Sequence, residues 1–211
     1  QLSSWLNLNA AVGRNLYVDY SERLIAYGVK DALALGVRLT PSQRDYASIS
    51  WRREHLLTQS RGQVGHAKIL NWELGHTLRL EYPDWTIRLS GYNNRFYGDE
   101  LNLSELSNGL PDVSISKDQA RLLLPEDSRS IGLNLGFGQQ YASEYSRAAR
   151  LYADGGISHS PSSGVGYNWL LGIAGSVIGN DHLTVFSGRN WGGSQNPLDT
   201  RSVGLKYKLH F

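Results

Sequence analysis

The sequence predicts an all-β fold, an antiparallel transmembrane β-barrel of the bacterial outer-membrane type with about ten strands. Apolar and polar residues alternate over segments of about ten residues, which is the length of a membrane strand rather than of a strand in a soluble sheet. The connections between these segments alternate between short and long. Aromatic residues stand at strand ends, where membrane barrels carry aromatic girdles: Trp5, Trp85, Tyr167, Trp169 and Tyr207.

The C-terminal residues 202–211 form the clearest predicted strand. Polar residues or glycine separate its apolar residues, which are Val203, Leu205, Tyr207, Leu209 and Phe211. Strict alternation at period two gives a strand one apolar face and one polar face. The ending on Phe211 resembles the C-terminal signature strand of outer-membrane barrels, which the barrel-insertion machinery recognises. We therefore expect this strand to bind that machinery.

In the first half of the chain, the same alternation predicts strands at residues 6–12, 33–39, 47–52, 70–79 and 85–90. A short helix capped by Ser21 is expected at 21–25. Pro41 and Pro83 mark tight turns. The polar stretch around 55–63 is expected to be a loop, and the longest irregular region runs from about 98 to 127.

In the second half, predicted strands cover residues 131–137, 151–157, 167–177, 182–189 and 202–211. The pattern of 182–189 does not decide which residues face which side. If Phe211 lies at the periplasmic edge, the short turns at Pro41, Pro83 and Asn180 are periplasmic. The long loops expected on the outer side then cover 13–30, 55–64, 96–127, 158–165 and 190–199.

A soluble β-sandwich would show similar alternation, but strand length, loop asymmetry and the aromatic positions favour the membrane barrel. The 211 residues include no Cys, and a formal net charge of +2 gives no indication of a nucleic-acid partner. No apolar run reaches the ~20 residues of a transmembrane helix. The chain shows no signal peptide at Gln1, so we expect Gln1 to be an internal position of a longer precursor.

One face of each predicted strand is almost free of charge, as a lipid-facing surface requires, and His76 is the exception. The opposite face is polar and rich in Arg and Lys. These residues either fill a narrow barrel as an ion-pair network, with Glu73 and Asp154 paired to arginines, or line an aqueous conduit. The candidate pore-lining residues are Arg38, Arg52, Asn71, Glu73, Arg88, Asn134, Arg150, Asp154, Asn168, Lys206 and Lys208.

Evidence for catalysis is sparse. The six His residues show no spacing typical of a metal site, and we expect no cofactor. Ser158-His159-Ser160 is expected to lie in a loop rather than to form a hydrolase pair, because neighbours in a strand point to opposite faces. Asp99-Glu100 and Glu126-Asp127 are acidic pairs of the kind that omptin-like proteases combine with a His. An omptin-like protease and a structural barrel without a pore therefore stay open as alternatives.

Three stretches resemble a known family. Residues 80–88, Leu-Glu-Tyr-Pro-Asp-Trp-Thr-Ile-Arg, residues 28–36, Gly-Val-Lys-Asp-Ala-Leu-Ala-Leu-Gly, and the terminal strand are similar to the barrel of bacterial exopolysaccharide-secretion porins, most closely those that export Pel polysaccharide. Such proteins combine a periplasmic helical-repeat region with a larger C-terminal barrel. Because a closed barrel of so few strands is largely filled by its own side chains, residues 1–211 are expected to be the C-terminal transmembrane portion of such a protein.

The resemblance implies an outer-membrane porin that conducts a secreted exopolysaccharide passively, without catalysis, during biofilm matrix export. It also implies a Pel-like, partially deacetylated polymer, a periplasmic ring of PelC-like lipoproteins and a periplasmic polysaccharide-modifying enzyme as partners. An acidic route would suit such a cationic polymer, and acidic residues concentrate in the long loop, which we expect to act at the exit or as an inward gate. They are Asp99, Glu100, Glu105, Asp112, Asp118, Glu126 and Asp127.

Overall fold

The computed structural model describes residues 5–18, 28–58, 61–102, 114–139, 146–179, 181–192 and 199–209. Strands account for most of this part of the chain. The elements in order are β1 (Leu6–Tyr17), β2 (Gly28–Leu39), β3 (Asp45–Thr58), β4 (Gln63–Arg79), β5 (Trp85–Gly98), β6 (Leu101–Asn102), β7 (Ser114–Ile115), α1 (Lys117–Arg121), β8 (Ser128–Phe137), β9 (Arg150–Ser160), β10 (Gly164–Gly175), β11 (Asp181–Trp191) and β12 (Thr200–Leu209).

The ten long strands form one sheet in which each strand is hydrogen-bonded to its neighbours in sequence, with β5 beside β8. The short strands β6 and β7 pair with each other outside that sheet. This arrangement confirms the predicted all-β antiparallel fold and is not the pair of packed sheets of a sandwich. Within the described ranges, no ladder joins β1 to β12. None of the described helices has both the length and the apolar character needed to cross a membrane.

The exposure of side chains on the sheet is inverted relative to a soluble protein. Along β8, Ile131, Leu133 and Leu135 are exposed, whereas Gly132 and Asn134 between them are half-buried. Other exposed side chains with the same parity on their strands are Leu8, Leu35, Ile49, Leu74, Ile87, Leu151, Leu171 and Leu205. We call the surface that carries them the apolar face and the opposite surface the polar face. Because water disfavours so much exposed apolar surface, the apolar face requires an apolar surrounding.

Cross-strand register assigns the residues of β11 to the two faces. Val185 lies opposite Ile173 of β10 and Leu205 of β12, so it belongs to the apolar face. Thr184 and Phe186 therefore belong to the polar face. The alternation of residues 182–189 alone leaves this assignment open, because serine and glycine interrupt the apolar pattern.

Two of the predicted outer loops are wrong because the strands beside them continue. β3 ends at Thr58 and β4 begins at Gln63, so the loop predicted at 55–64 is mostly strand. β9 and β10 leave residues 161–163 as the connection that was expected to cover 158–165. Polar side chains do not interrupt backbone pairing, and a hairpin keeps its ladder in water. Ser158-His159-Ser160 therefore lies in β9 rather than in a loop.

The predicted separation into short turns and long loops is also less regular than expected. The connections at 40–44, 80–84 and 176–180 are short, but residues 138–149 connect β8 to β9 at the same end of the strands. At the other end, the connections at 59–62 and 161–163 are short. The helix expected at 21–25 and the terminal Phe211 lie outside the described residues.

Side chains close the short turns. The Asp181 carboxylate accepts hydrogen bonds from the N–H groups of residues 177–179 and from the Ser176 hydroxyl. Ser42 Oγ accepts two bonds from the N–H groups of residues 44–45. These oxygens satisfy backbone donors that the ladder leaves unpaired at a reversal of the chain.

The chain divides into two compact units, residues 1–38, 48–72 and 92–128, and residues 39–47, 73–91 and 129–211. The first unit contains a small apolar core on which the long connection packs. Its residues are Val18, Leu56, Val64, Ala67, Phe96 and Leu124, with Ile115 and Leu123 packed against them. The second unit contains the short turns together with β8 to β12.

Candidate functional site: the polar face

On the polar face, glycines lie beneath flat side chains of the neighbouring strands. A Cβ atom at any of these glycines would overlap the side chain that covers it, so each covering group lies against the adjacent strand. The pairs are Asn9 on Gly36, Tyr46 on Gly75, Asn134 on Gly156, Tyr152 on Gly172 and Phe186 on Gly204. The polar face is therefore surfaced in part by rings and amide planes that lie flat on it.

Three predicted pore-lining residues meet in the second unit. The Arg88 guanidinium of β5 forms an ion pair with the Asp154 carboxylate of β9, which also accepts a hydrogen bond from the Asn168 side chain of β10. The pair reaches across β8 at Gly136, where a Cβ atom would lie 3.5 Å from Asp154 Oδ2. A glycine at this position leaves room for the two charged groups to meet.

A second charged cluster lies in the first unit. Glu54 is fully buried, and its Oε1 lies 3.4 Å from Lys30 Nζ and 3.4 Å from Arg52 Nε. Arg52 is a predicted candidate, whereas sequence reasoning missed Lys30 and Glu54. Alternation from Arg52 places Glu54 on the same face, but Glu54 adjoins the stretch that was expected to be a loop. A buried carboxylate requires such partners, because an unpaired buried charge is strongly unfavourable.

Glu73 was expected, like Asp154, to pair with an arginine. It instead accepts a hydrogen bond from the Tyr46 hydroxyl across β3 and β4. Tyr46 thus covers Gly75 with its ring and binds Glu73 with its hydroxyl group. Sequence reasoning missed Tyr46 because it immediately precedes the strand predicted from residue 47.

Two further candidates have neutral partners. Asn71 Nδ2 lies 3.5 Å from Ser50 Oγ on the adjacent strand. The Arg150 guanidinium lies 5.0 Å from the centre of the Tyr82 ring, which is a cation–π distance. The Tyr82 hydroxyl also donates to the carbonyl oxygen of Leu151 and accepts from its N–H group. These contacts hold Arg150 close to the turn at 80–84.

The remaining candidates lie at several separate places. Asn134 is opposite Gly156, and Lys206 and Lys208 are exposed on β12. Arg38 is exposed near the end of β2. The described structure thus brings Arg88, Asp154 and Asn168 together. Asn134 adjoins them, because Gly156 lies between it and Asn168, whereas Arg38, Lys206 and Lys208 lie elsewhere.

The described part of the long connection rests on the end of β5 through α1. The helix begins with a capping box in which Ser116 Oγ accepts the N–H of Gln119 and the Gln119 side chain accepts the N–H of Ser116. A Cβ atom at Gly98 would overlap the Lys117 carbonyl group. The glycine therefore permits direct contact between the strand and the helix backbone.

Apolar contacts fix the same segment. Leu124 joins Leu56 and Phe96 in the apolar core of the first unit. Alternation along β3 and β5 places Leu56 with Glu54, and Phe96 with Asn94, on the polar face. The segment therefore covers the polar face of the first unit where these strands end.

Asp127 links this segment to β5. Its Oδ1 accepts the N–H of Phe96 at 2.8 Å and lies 3.0 Å from Arg121 Nη2. Arg121 Nη1 also donates to the carbonyl oxygen of Pro125 at 2.6 Å. Asp127, a candidate residue of the exit loop, therefore has one partner on β5 and one in α1.

The other acidic candidates of the long loop do not share one partner. Asp99 Oδ2 accepts from Gln63 Nε2 at 2.8 Å and lies 3.2 Å from His66 Nδ1. The side chains of Glu100, Asp118 and Glu126 are exposed. The two further candidates, Glu105 and Asp112, lie outside the described residues.

Contacts that would favour an enzyme are few in the described part of the chain. Ser158 and His159 point to opposite faces of β9, so they do not form a nucleophile–base pair. His66 does meet Asp99, but its ring stacks on Tyr97 at 4.9 Å, at the joined ends of β4 and β5. The described residues include no group of three or more His, Cys, Asp or Glu able to hold a metal ion.

Comparison with known families gives one match over nearly the whole chain. The family model described as the PelB C-terminal beta barrel domain matches residues 1–210. Comparison with curated proteins gave no match, and comparison with solved structures gave none. The family match agrees with the resemblance that residues 28–36, residues 80–88 and the terminal strand indicate.

Proposed function

We propose that this chain, which belongs to the PelB C-terminal β-barrel family, forms part of an outer-membrane pore through which a secreted exopolysaccharide leaves the cell. The family is one of transport barrels for polysaccharide export, and it is not known as an enzyme family. The observation that carries the proposal is the inverted sheet, with an exposed apolar face and a hydrogen-bonding polar face.

The apolar face supports placement in a membrane. Its exposed Leu, Ile and Val side chains would be unfavourable in water, and lipid tails provide the surrounding that they need. His76, which also lies on this face, is 2.6 Å from Asp45 Oδ1 at the end of β3 and β4 beside the turn at 40–44. That position suits a membrane boundary, where a polar pair retains access to water.

The polar face supports passage of a hydrophilic polymer. Several of its charged groups are paired with each other: Arg88 with Asp154, and Glu54 with Lys30 and Arg52. Paired charges attract a passing charged sugar less than free charges do, because the two fields oppose each other. The hydroxyl, amide and ring groups that remain form weak and exchangeable contacts, which suits conduction of a Pel-like, partially deacetylated chain during biofilm matrix export.

The partners belong to the same proposal. As the resemblance implies, the proposed pore would work with a periplasmic ring of PelC-like lipoproteins and with a periplasmic enzyme that modifies the polysaccharide. The terminal strand would bind the barrel-insertion machinery. Residues 1–211 would then be the C-terminal barrel portion of the export protein.

The segment 114–127 is proposed to narrow the path. It covers the polar face of the first unit, where α1 and Leu124 rest on β3 and β5. Asp118 and Glu126 remain exposed on it, so a cationic polymer would meet carboxylates at this place. A segment held by both apolar contacts and the Asp127 bonds acts as a constriction that opens as one piece.

Single-channel conductance in planar bilayers tests the proposal. The full-length protein is compared with a variant in which residues 99–126 are replaced by a short Gly-Ser linker that retains Asp127. We expect conductance from both proteins, with larger openings in the variant. In cells, a strain that lacks the protein is expected to lose secretion of the polymer, and the wild-type gene is expected to restore it.

A silent full-length protein would contradict the pore and favour a filled structural barrel. Conductance that does not change in the linker variant would contradict the constriction but not the pore. The omptin-like alternative predicts proteolysis of a basic peptide that Asp99→Asn abolishes, and the proposed pore predicts no cleavage by either form.

A further inference from the structure

Three exposed cations lie side by side on the apolar face of the first unit. They are Arg53 of β3, Lys68 of β4 and Arg95 of β5. Each has the parity of the exposed apolar residues on its own strand, so all three project from the face that we place against lipid. Cations on this face are unfavourable within the bilayer and require an anionic or aqueous surrounding.

Register places the three cations in one row. The contact between Asn71 and Ser50 sets β3 against β4. Because the strands are antiparallel, Arg53, three residues after Ser50, lies opposite Lys68, three residues before Asn71. The N–H of Asp99 donates to the carbonyl oxygen of Val64, which sets β5 against β4 and brings Arg95 opposite Lys68. With neighbouring strands about 4.8 Å apart, the row is about 10 Å wide.

The row marks the end of the apolar belt. Trp51 and Leu70 lie two positions closer to the middle of β3 and β4, and the apolar residues of the same parity beyond the row, Leu57 and Val64, are buried. Two positions beyond the row, His66 stacks on Tyr97, and Lys68 Nζ lies 5.4 Å from the centre of the Tyr97 ring. An aromatic group beside a cation at this depth is typical of a headgroup region.

The cations of the row have no carboxylate partner among the described residues. The nearby Asp99 is bound by Gln63 and His66, and Asp31 is bound by Arg61 at 2.8 Å. We call the end of the strands beside the connections 40–44, 80–84 and 176–180 the turn end, and the opposite end the loop end. At the turn end, by contrast, the described apolar face carries the carboxylates Asp45 and Asp181 and no Arg or Lys. Unpaired cations are thus confined to the loop end of this face.

We propose that Arg53, Lys68 and Arg95 bind the phosphate groups of an anionic lipid, a bis-phosphorylated glycolipid of the outer leaflet. The proposal rests on the outer-membrane placement proposed above, with the loop end outside. Lys and Arg bind phosphate through charge-assisted hydrogen bonds, and a row about 10 Å wide is able to contact two phosphates of one headgroup. The apolar belt directly below the row would contact the acyl chains of the same lipid.

Lipid binding to the full-length protein in neutral detergent tests this proposal. The test variant is R53Q/K68Q/R95Q. The matched control, R44Q/K117Q/R147Q, removes three cations that are also exposed but lie in turns and in α1. Binding of bis-phosphorylated lipid A is measured by native mass spectrometry and by the rise in melting temperature, with dephosphorylated lipid A and inorganic phosphate as comparison ligands.

We expect the test variant to bind bis-phosphorylated lipid A on the order of a hundredfold more weakly, since each cation near a charged surface contributes about fivefold. The control variant and the wild type are expected to bind it equally, and dephosphorylated lipid A is expected to bind weakly to all three. Equal binding by the test variant would overturn the proposal. Saturation of the wild type by inorganic phosphate with the same stabilisation would also overturn it.

Conductance separates this proposal from the proposed function. All three proteins are inserted into neutral phosphatidylcholine bilayers, where no anionic headgroup is present. A pore that conducts equally in the wild type and the test variant, together with lost lipid A binding in the test variant, supports both proposals. Lipid A binding by the test variant that equals that of the wild type, with unchanged conductance, overturns the lipid site and leaves the pore in place.

Discussion

Arg88 and Asp154 meet across an intervening strand, on which Gly136 leaves the space for their ion pair. The two residues are 66 positions apart in sequence, and the side chains of both are at least partly exposed. Neither strand pattern indicates the contact, because alternation assigns a face but not a partner. The pair has a direct consequence for the proposed pore, since breaking it would leave one charge free on the polar face.

Asp154→Asn is therefore expected to make the pore more selective for anions, because Arg88 loses its counter-charge. Arg88→Gln is expected to shift selectivity toward cations. Each single change should lower the free energy of unfolding by about 1–2 kcal/mol, less than for a fully buried pair. The reversal potential in a salt gradient measures the selectivity. The exchanged pair R88D/D154R serves as the control, and failure of the exchange to bring selectivity back toward wild type would contradict a direct pair.

The flat aromatic groups make a second prediction. Gly75→Ala is expected to destabilise the sheet by about 1–3 kcal/mol, because the new Cβ atom would displace the Tyr46 ring and its bond to Glu73. Gly155→Ala is the matched control, since its Cβ atom would meet one atom, the Asn168 carbonyl oxygen at 3.8 Å. Urea titration of the refolded protein in lipid vesicles measures both. Equal stability of the two variants would argue against close packing at Gly75.

Asp127 is expected to hold the segment 114–127 in place. Asp127→Ala removes the acceptor of the Phe96 N–H and of Arg121, so α1 should exchange its amide hydrogens faster, by about tenfold for a loss of about 1.4 kcal/mol. Hydrogen exchange of residues 117–124 measures this change. Glu126→Gln, at an exposed neighbouring position, is the control and should exchange as the wild type does.

The connection between β11 and β12 is expected to depend on pH. The Arg189 guanidinium donates two hydrogen bonds of 2.7 Å to Asp199 and holds the pKa of that carboxyl below its usual range, against a smaller opposing effect of burial, and Arg201 adds to the lowering. Because the folded pKa lies below the unfolded one, the stabilisation is present above the unfolded pKa of about 3.9. It is lost as the pH falls through the folded value.

Hydrogen exchange of residues 189–192 and 199–201, measured between pH 6 and pH 3 after correction for the intrinsic rate, tests this dependence. Protection is expected to fall at the acidic end in the wild type. Asp199→Asn should show lower protection that changes little with pH. A variant that keeps the wild-type pH profile would show that another group is responsible.

Alternation predicts most of the strands and most of the two faces, because every second residue of a strand in a membrane sheet has to be apolar. Ile131, Leu133 and Leu135 illustrate this, since each is exposed as a lipid-facing residue should be. The prediction fails in the parts of the strands where apolar residues no longer alternate. Glu54 lies in a part of β3 that the apolar pattern does not mark, and backbone pairing there continues without it.

Long-range contacts are the other part that alternation does not predict. The core around Leu56, Phe96 and Leu124 depends on how a long connection returns to the sheet, and no periodic pattern encodes that path. The cluster of Lys30, Arg52 and Glu54 depends on which strands are adjacent. A choice of candidate residues by face alone therefore finds some members of a charged cluster, such as Arg52, but not the residues that pair with them.

The side chains that cover glycines on the polar face have one more consequence. Tyr46, Tyr152 and Phe186 each lie against a neighbouring strand at a glycine that leaves room for the ring. Their rotational freedom is lost when the sheet folds, so in the proposed pore a passing sugar chain would not have to immobilise them again at each step. Such a wall would resist the movement of the polymer only weakly.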